Sequence, residues 1–164
     1  MAKRKHHKNK TALLIVGEGP IDKAFLQHIH NTVNSRTGNK VKVAAADGGS
    51  PKDVIITAAK YQHASYDKKF VLIDEDIPIS QEELDLAEEL GVTIFISSPV
   101  CLEGMLLEVL GQKAPSTNKE CKSKLHPQLN GQPTCRESYQ QLFGKEVLTD
   151  SQHATIQSLL QVFS

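Results

Sequence analysis

Residues 13–26, LLIVGEGPIDKAFL, decide how the rest of the chain is read. A continuous apolar run stops at Gly17, an acid follows at Glu18, and a second glycine, Gly19, precedes a segment with a different period. The run over 12–17 suits a strand buried on both faces, since it lacks the polar alternation of a half-exposed one. From Pro20, the residues Ile21, Phe25, Leu26, Ile29 and Val33 mark one face of a helix reaching about Asn34, and Pro20 fits its first turn. The chain thus passes from strand to helix at a glycine-flanked carboxylate. Either that turn merely exits the strand, or it holds Glu18 out for chemistry.

The same alternation recurs downstream. A loop over 34–39 leads to a second strand over 41–46, and DGGSP (47–51) breaks it. Ser50 is placed to cap a helix that has Pro51 at its first position and runs to about Gln62. A third strand covers 69–74. Ser80 with Glu83 forms a capping box for a helix over 81–90, which Gly91 closes. A fourth strand over 92–97 is followed by a helix from Leu102 to Leu110, stopped by Gly111. Four strand–helix units imply an α/β fold, with a mostly parallel four-stranded sheet flanked by helices. Residues 112–133 are looser, although TNKECKSKL (117–125) can form a helix. Thr134 and Glu137 suggest a capped helix carrying Tyr139, Leu142 and Phe143, and 150–163 reads as a last amphipathic helix. The organisation expected is a basic flexible tail over 1–10, a core over 11–111 and a helical C-terminal extension over 112–164 packed on that core.

Composition narrows the function classes. The formal net charge of zero hides a tail, MAKRKHHKNK, with five Lys/Arg and no acid, and residues 113–145 hold six Lys/Arg against Glu120 and Glu137. The tail reads either as a solubilising end or as an arm that meets phosphates non-specifically. Three cysteines and no secretory apolar region point to a reduced, cytoplasmic protein. No apolar run reaches the roughly 18 residues of a membrane span.

Acids gather where an open parallel sheet binds ligands, at the carboxyl ends of its strands. Glu18 follows the first strand, Asp47 the second, Asp74 and Asp76 the third, and Glu103 lies beyond the fourth. Read as extended chain, Asp74 and Asp76 point to one side and Glu75 to the other. Two such carboxylates repel unless a cation or proton sits between them. With Glu18 they make an oxygen-only pocket of the kind Mg²⁺ takes, Mn²⁺ being the alternative ion. The bland alternative is that Asp74 and Asp76 cap the next loop and Glu18 is simply exposed. Gly48, Gly49 and Ser50 read either as a phosphate-binding nest or as a plain turn.

These residues also resemble a known family. IVGEGPIDKAFL resembles the first motif of Toprim domains, and VLIDEDIP their second, a strand ending in Asp-x-Asp. ISSPVCLEGMLLEVL is similar to a segment of RloB-like proteins, with Pro99, Cys101 and Glu103 as counterparts, and OLD-type nucleases share the core. The resemblance spans about residues 12–110. It implies a Rossmann-like Toprim fold in which Glu18 is a metal ligand or general acid/base and Asp74 and Asp76 bind Mg²⁺. Asp22 and Glu103 would be supporting acids, and Gly17 and Gly19 would leave room for a phosphate. The implied activity is metal-dependent phosphodiester hydrolysis of RNA or DNA, in a setting of bacterial defence against phage. The competing expectation is a non-catalytic module of the same fold that binds metal, nucleotide or nucleic acid and regulates a partner. Nucleic acid is the expected partner, with a protein partner or homodimer also open.

Overall fold

The structure, a computed structural model, describes residues 11–34, 38–61 and 65–164. The basic tail over 1–10 lies outside them. The elements run β1 (Ala12–Gly17), α1 (Pro20–Val33), β2 (Lys40–Ala45), α2 (Pro51–Lys60), β3 (Lys68–Asp74), α3 (Gln81–Leu90), β4 (Val92–Ser97) and α4 (Leu102–Val109). Beyond these lie α5 (Asn118–Leu125), α6 (Lys145–Asp150) and α7 (Ala154–Phe163). The fold is α/β, with a four-stranded, all-parallel sheet in the order β2-β1-β3-β4.

That order makes β1 and β3 neighbours, with Gly17 opposite Leu72. The chain leaves β1 toward β2 and returns to β3 on the other side, so the crevice between their carboxyl ends is a topological switch point. Successive β1 residues feed different layers. Leu13 and Ile15 pack with Phe25, Leu26, Leu106 and Phe163, while Leu14 and Val16 pack with Val54, Ile55 and Ile73. Both faces are therefore covered, which is why β1 reads as unbroken apolar sequence. Burying each such aliphatic side chain contributes about 1.5–3 kcal/mol.

Helix signals hold where the capping chemistry is local. Ser50 accepts from the Asp53 amide and Ser80 from the Glu83 amide, both in capping boxes, and Gly91 closes α3 at φ 68°. In the extension Thr117 caps α5 by accepting the Glu120 amide, but the signal at Thr134 fails. Thr134 caps nothing, and residues Arg136–Tyr139 form a short 3-10 turn preceded by Cys135. The terminal helix begins at Ala154, because His153 caps it by accepting the Thr155 amide.

The extension shares the core rather than resting on it. Phe25 of α1 meets Tyr139 at 5.6 Å and Phe143 at 5.9 Å between ring centroids, both edge-on. Buried His28 donates from Nε2 to the Phe143 carbonyl at 2.6 Å, and burial holds its pKa below the ordinary value. At the exposed edge of β4, Thr155 Oγ1 donates to the Ile96 carbonyl and His153 Nε2 to the Ser98 carbonyl, so free edge carbonyls are covered. Among the described residues no helix is long and apolar enough to cross a membrane.

Phe143→Ala removes a fully buried ring from this shared core. It should lower unfolding free energy by about 3–5 kcal/mol, read by urea denaturation as one transition rather than as selective loss of the extension.

Candidate functional site

The turn from β1 to α1 is built around Asp22. A Cβ on Gly17 would lie 2.5 Å from the Asp22 Cβ, so Gly17 is what lets the first turn of α1 close on the strand end. Asp22, only 8% exposed, accepts the Gly19 amide at 3.2 Å in the capping position. Gly19 is extended (φ −154°), and its missing side chain faces open space. Neither glycine has a left-handed backbone. Gly17 provides close packing and Gly19 provides room.

Glu18 is thereby aimed at the neighbouring strand end. Its Oε1 accepts the Asp74 backbone amide at 3.0 Å. The Glu18 and Asp74 carboxyl groups also act on each other electrostatically. Asp74 Oδ1 accepts the Leu102 amide at the start of α4.

Chain geometry corrects the extended reading of the DED segment. Strand β3 stops at Asp74, and Glu75 and Asp76 form a turn, so period-two alternation no longer governs Asp76. Its Oδ2 accepts from Asn118 of α5 at 3.0 Å, although its charge still acts on Glu18. The turn is clamped to the 97–102 segment. Glu75 N donates to the Ser97 carbonyl, Asp76 N to the Val100 carbonyl, and Val100 N to Glu75 Oε1. Val100 sits at φ 68°, unusual for a β-branched residue, and these bonds hold it there.

Glu18, Asp22, Asp74 and Glu103 line one cavity of about 320 Å³, together with Gly19 and Gly48 on one side and Lys122 and Thr134 on another. Glu103 is 2% exposed, and its Oε1 accepts from His126 Nε2 at 3.1 Å. Burial, and then repulsion from Asp22, Glu18 and Glu103, pushes the Asp74 pKa up to about 8. Burial, and then repulsion from Glu18 and Glu103, takes Asp22 to about 7. Glu18 is raised too, first by burial and further by Asp76, against the lowering effect of the Asp74 amide.

The remaining candidates fall outside this cluster. Asp47 is exposed and lines a neighbouring hollow with Lys23, Gly19 and Gly48. In the DGGSP loop, the Ser50 amide and hydroxyl both donate to Asp53, and the Gly48 amide donates to the Glu18 carbonyl. Those donors are committed within the protein. Gly49 packs against the Asp53 carboxylate, again a matter of the helix cap.

The donor set suits a hard divalent cation. It is oxygen-only, burial and then repulsion among its acids raise the Asp74 pKa, and Ser97 Oγ, buried beside Asp74 in the strand register, has no hydrogen-bond partner among the described residues. Among the described residues no three His, Cys, Asp or Glu side chains converge to chelate one ion. Glu18 and Asp74 form the close pair, which is enough for an ion that keeps several waters.

Comparison with protein-family models, curated proteins and solved structures finds no match to this chain.

Gly17→Ala forces the new methyl against Asp22 and should cost about 1–3 kcal/mol, seen as a lower denaturation midpoint. A pH series tests the acid cluster. Asp22 and Asp74 titrate near 7 and 8 in the folded protein and near 4 when unfolded, so between those values the native state holds protons that the unfolded state lacks. Stability must then fall as pH rises from 5 to 8. Asp22→Asn should flatten part of that fall in thermal melts.

Proposed function

We propose that the chain is a Mg²⁺-dependent phosphodiester hydrolase of Toprim type acting on RNA or DNA. One observation carries the reading: Glu18 and Asp74, from adjacent strand ends, meet in a single cavity backed by Asp22 and Glu103. Glu18 and Asp74 would hold the ion. Such an ion, when bound, supplies charge to polarise a phosphoryl oxygen and to activate a water.

The chain's own groups divide the remaining work. The Asp74 amide fixes Glu18 Oε1, which orients the carboxyl group without a long flexible search. The raised pKa of Asp74, about 8, lets it hold a proton near neutrality, the property a general acid or base needs, and Glu18 is displaced in the same direction. Gly19 leaves the approach open on the side where a phosphate backbone would lie. The Toprim resemblance adds the setting, a cytoplasmic protein of bacterial defence with nucleic acid as its partner.

A second reading, a regulatory module that binds metal and nucleic acid without cutting, draws on Asp76. Its carboxylate is engaged by Asn118 instead of joining the Glu18–Asp74 pair. Labelled RNA and DNA incubated in Mg²⁺ or Mn²⁺ separate the two. The hydrolase predicts metal-dependent cleavage that drops roughly a hundredfold or more in Glu18→Ala and Asp74→Ala. Binding without cutting selects the module. Metal titration gives an independent readout: because Asp22 and Asp74 carry protons near neutrality, Mg²⁺ binding should release protons and tighten from pH 6 to pH 8.

A further inference from the structure

Helix α5 of the extension lies across the acid cluster with a polar stripe at intervals of four residues. At one end Asn118 donates to Asp76 at 3.0 Å. At the other, the residue just past the helix, His126, donates to Glu103 at 3.1 Å. Midway, at the same spacing, is Lys122. Side chains four apart share a helix face, so two pinned ends fix the middle one over the cavity.

Lys122 lines the cavity and, among the described residues, is the one basic residue that does. Among the described residues it makes no ion pair and no side-chain hydrogen bond, although it is half-buried. Its neighbours behave otherwise: Lys124 donates to the Lys113 carbonyl, and Lys119 is exposed. A partly buried ammonium group without an ion pair, facing carboxylates, is an anion site in waiting. A phosphate would be repelled by Glu18, Asp22, Asp74 and Glu103 unless positive charge met it, and a single divalent ion does not offset four acids.

We propose that Lys122 is the residue that recognises the substrate's phosphate, its ammonium donating to a phosphoryl oxygen of an ester held against Glu18 and Asp74. The proposal rests on the phosphodiester reading above and assigns the extension a share of the substrate site. Lys122 carries no part in holding the cation. It repels one.

That opposition supplies the test. Inorganic phosphate binding in Mg²⁺, and Mn²⁺ binding alone by paramagnetic resonance, are measured for the full chain, Lys122→Gln, Lys122→Arg and the control Lys119→Gln. Lys122→Gln should weaken phosphate binding at least about tenfold while tightening Mn²⁺ about two- to fivefold. Lys122→Arg should retain most phosphate affinity, and Lys119→Gln should match the parent. Unchanged phosphate affinity in Lys122→Gln overturns the proposal, as does a parent chain that binds no phosphate. Parallel loss of both affinities with a lowered melting temperature also overturns it, since that marks a structural lysine. The two readings fail separately. A parent that binds phosphate through Lys122 but cuts nothing removes the hydrolase alone, and a Lys122→Gln variant cutting at the parental KM removes the lysine's role alone.

Discussion

The hydrogen bond from the Asp74 amide to Glu18 Oε1 ties the ends of β1 and β3 together at the point where the sheet's connections part. Everything proposed for the cavity depends on that bond. Were β1 and β3 not adjacent, the two carboxylates would belong to separate loops. Were Gly17 any larger residue, Asp22 could not seat beneath the turn and Glu18 would swing with it. A side chain is held here by a backbone donor of the next strand, so its position inherits the rigidity of the sheet rather than the looseness of a loop.

The same arrangement works against folding. Four acids share one small volume, two of them buried almost completely, and burial, with their mutual repulsion added to it, raises the pKa of Asp22 to about 7 and of Asp74 to about 8. A purely structural cluster would relieve that repulsion with arginine or lysine pairs. Here His126 meets Glu103, while Asp22 and Asp74 meet no cationic side chain within ion-pair distance among the described residues. The layers on both faces of the sheet stabilise the fold enough to tolerate this. Strongly shifted acids concentrated in a cavity at a sheet's carboxyl edge are a common mark of functional sites.

Much of this was legible in the sequence because it depends on short-range rules. Strand β1 announces itself by apolar continuity, α2 and α3 by their serine caps, and the acids by their recurrence after successive strands. The strand order was not legible, since local propensity says nothing about which parallel strands adjoin. Asp76 was misread for a definable reason: the alternation of an extended chain was applied two residues past the end of β3, where hydrogen bonds to 97–102 bend the chain into a turn. Gly17 was read as room for a phosphate, and only coordinates reveal that the space beside it is filled by the Asp22 Cβ. The basic excess over 113–145 was visible as charge, but not which lysine faces Glu18, because that needs the path of α5.

The composition change near residue 111 marks a difference of chemistry, not an edge of the folded unit. Leu125, Tyr139, Phe143, Ile156 and Phe163 are buried with Phe25, Leu106 and Ile15 in one apolar layer, so the extension and the sheet stabilise each other. The opposite character of α5 follows from this anchoring. Cys121 and Leu125 turn inward, which fixes the rotation of the helix, and that rotation delivers Asn118, Lys122 and His126 to the acids on its other side. An apolar face too short to be a core by itself thus sets the register of a polar face over the cavity. The carboxyl edge of the sheet supplies the acids, and the extension places Asn118, Lys122 and His126 against them.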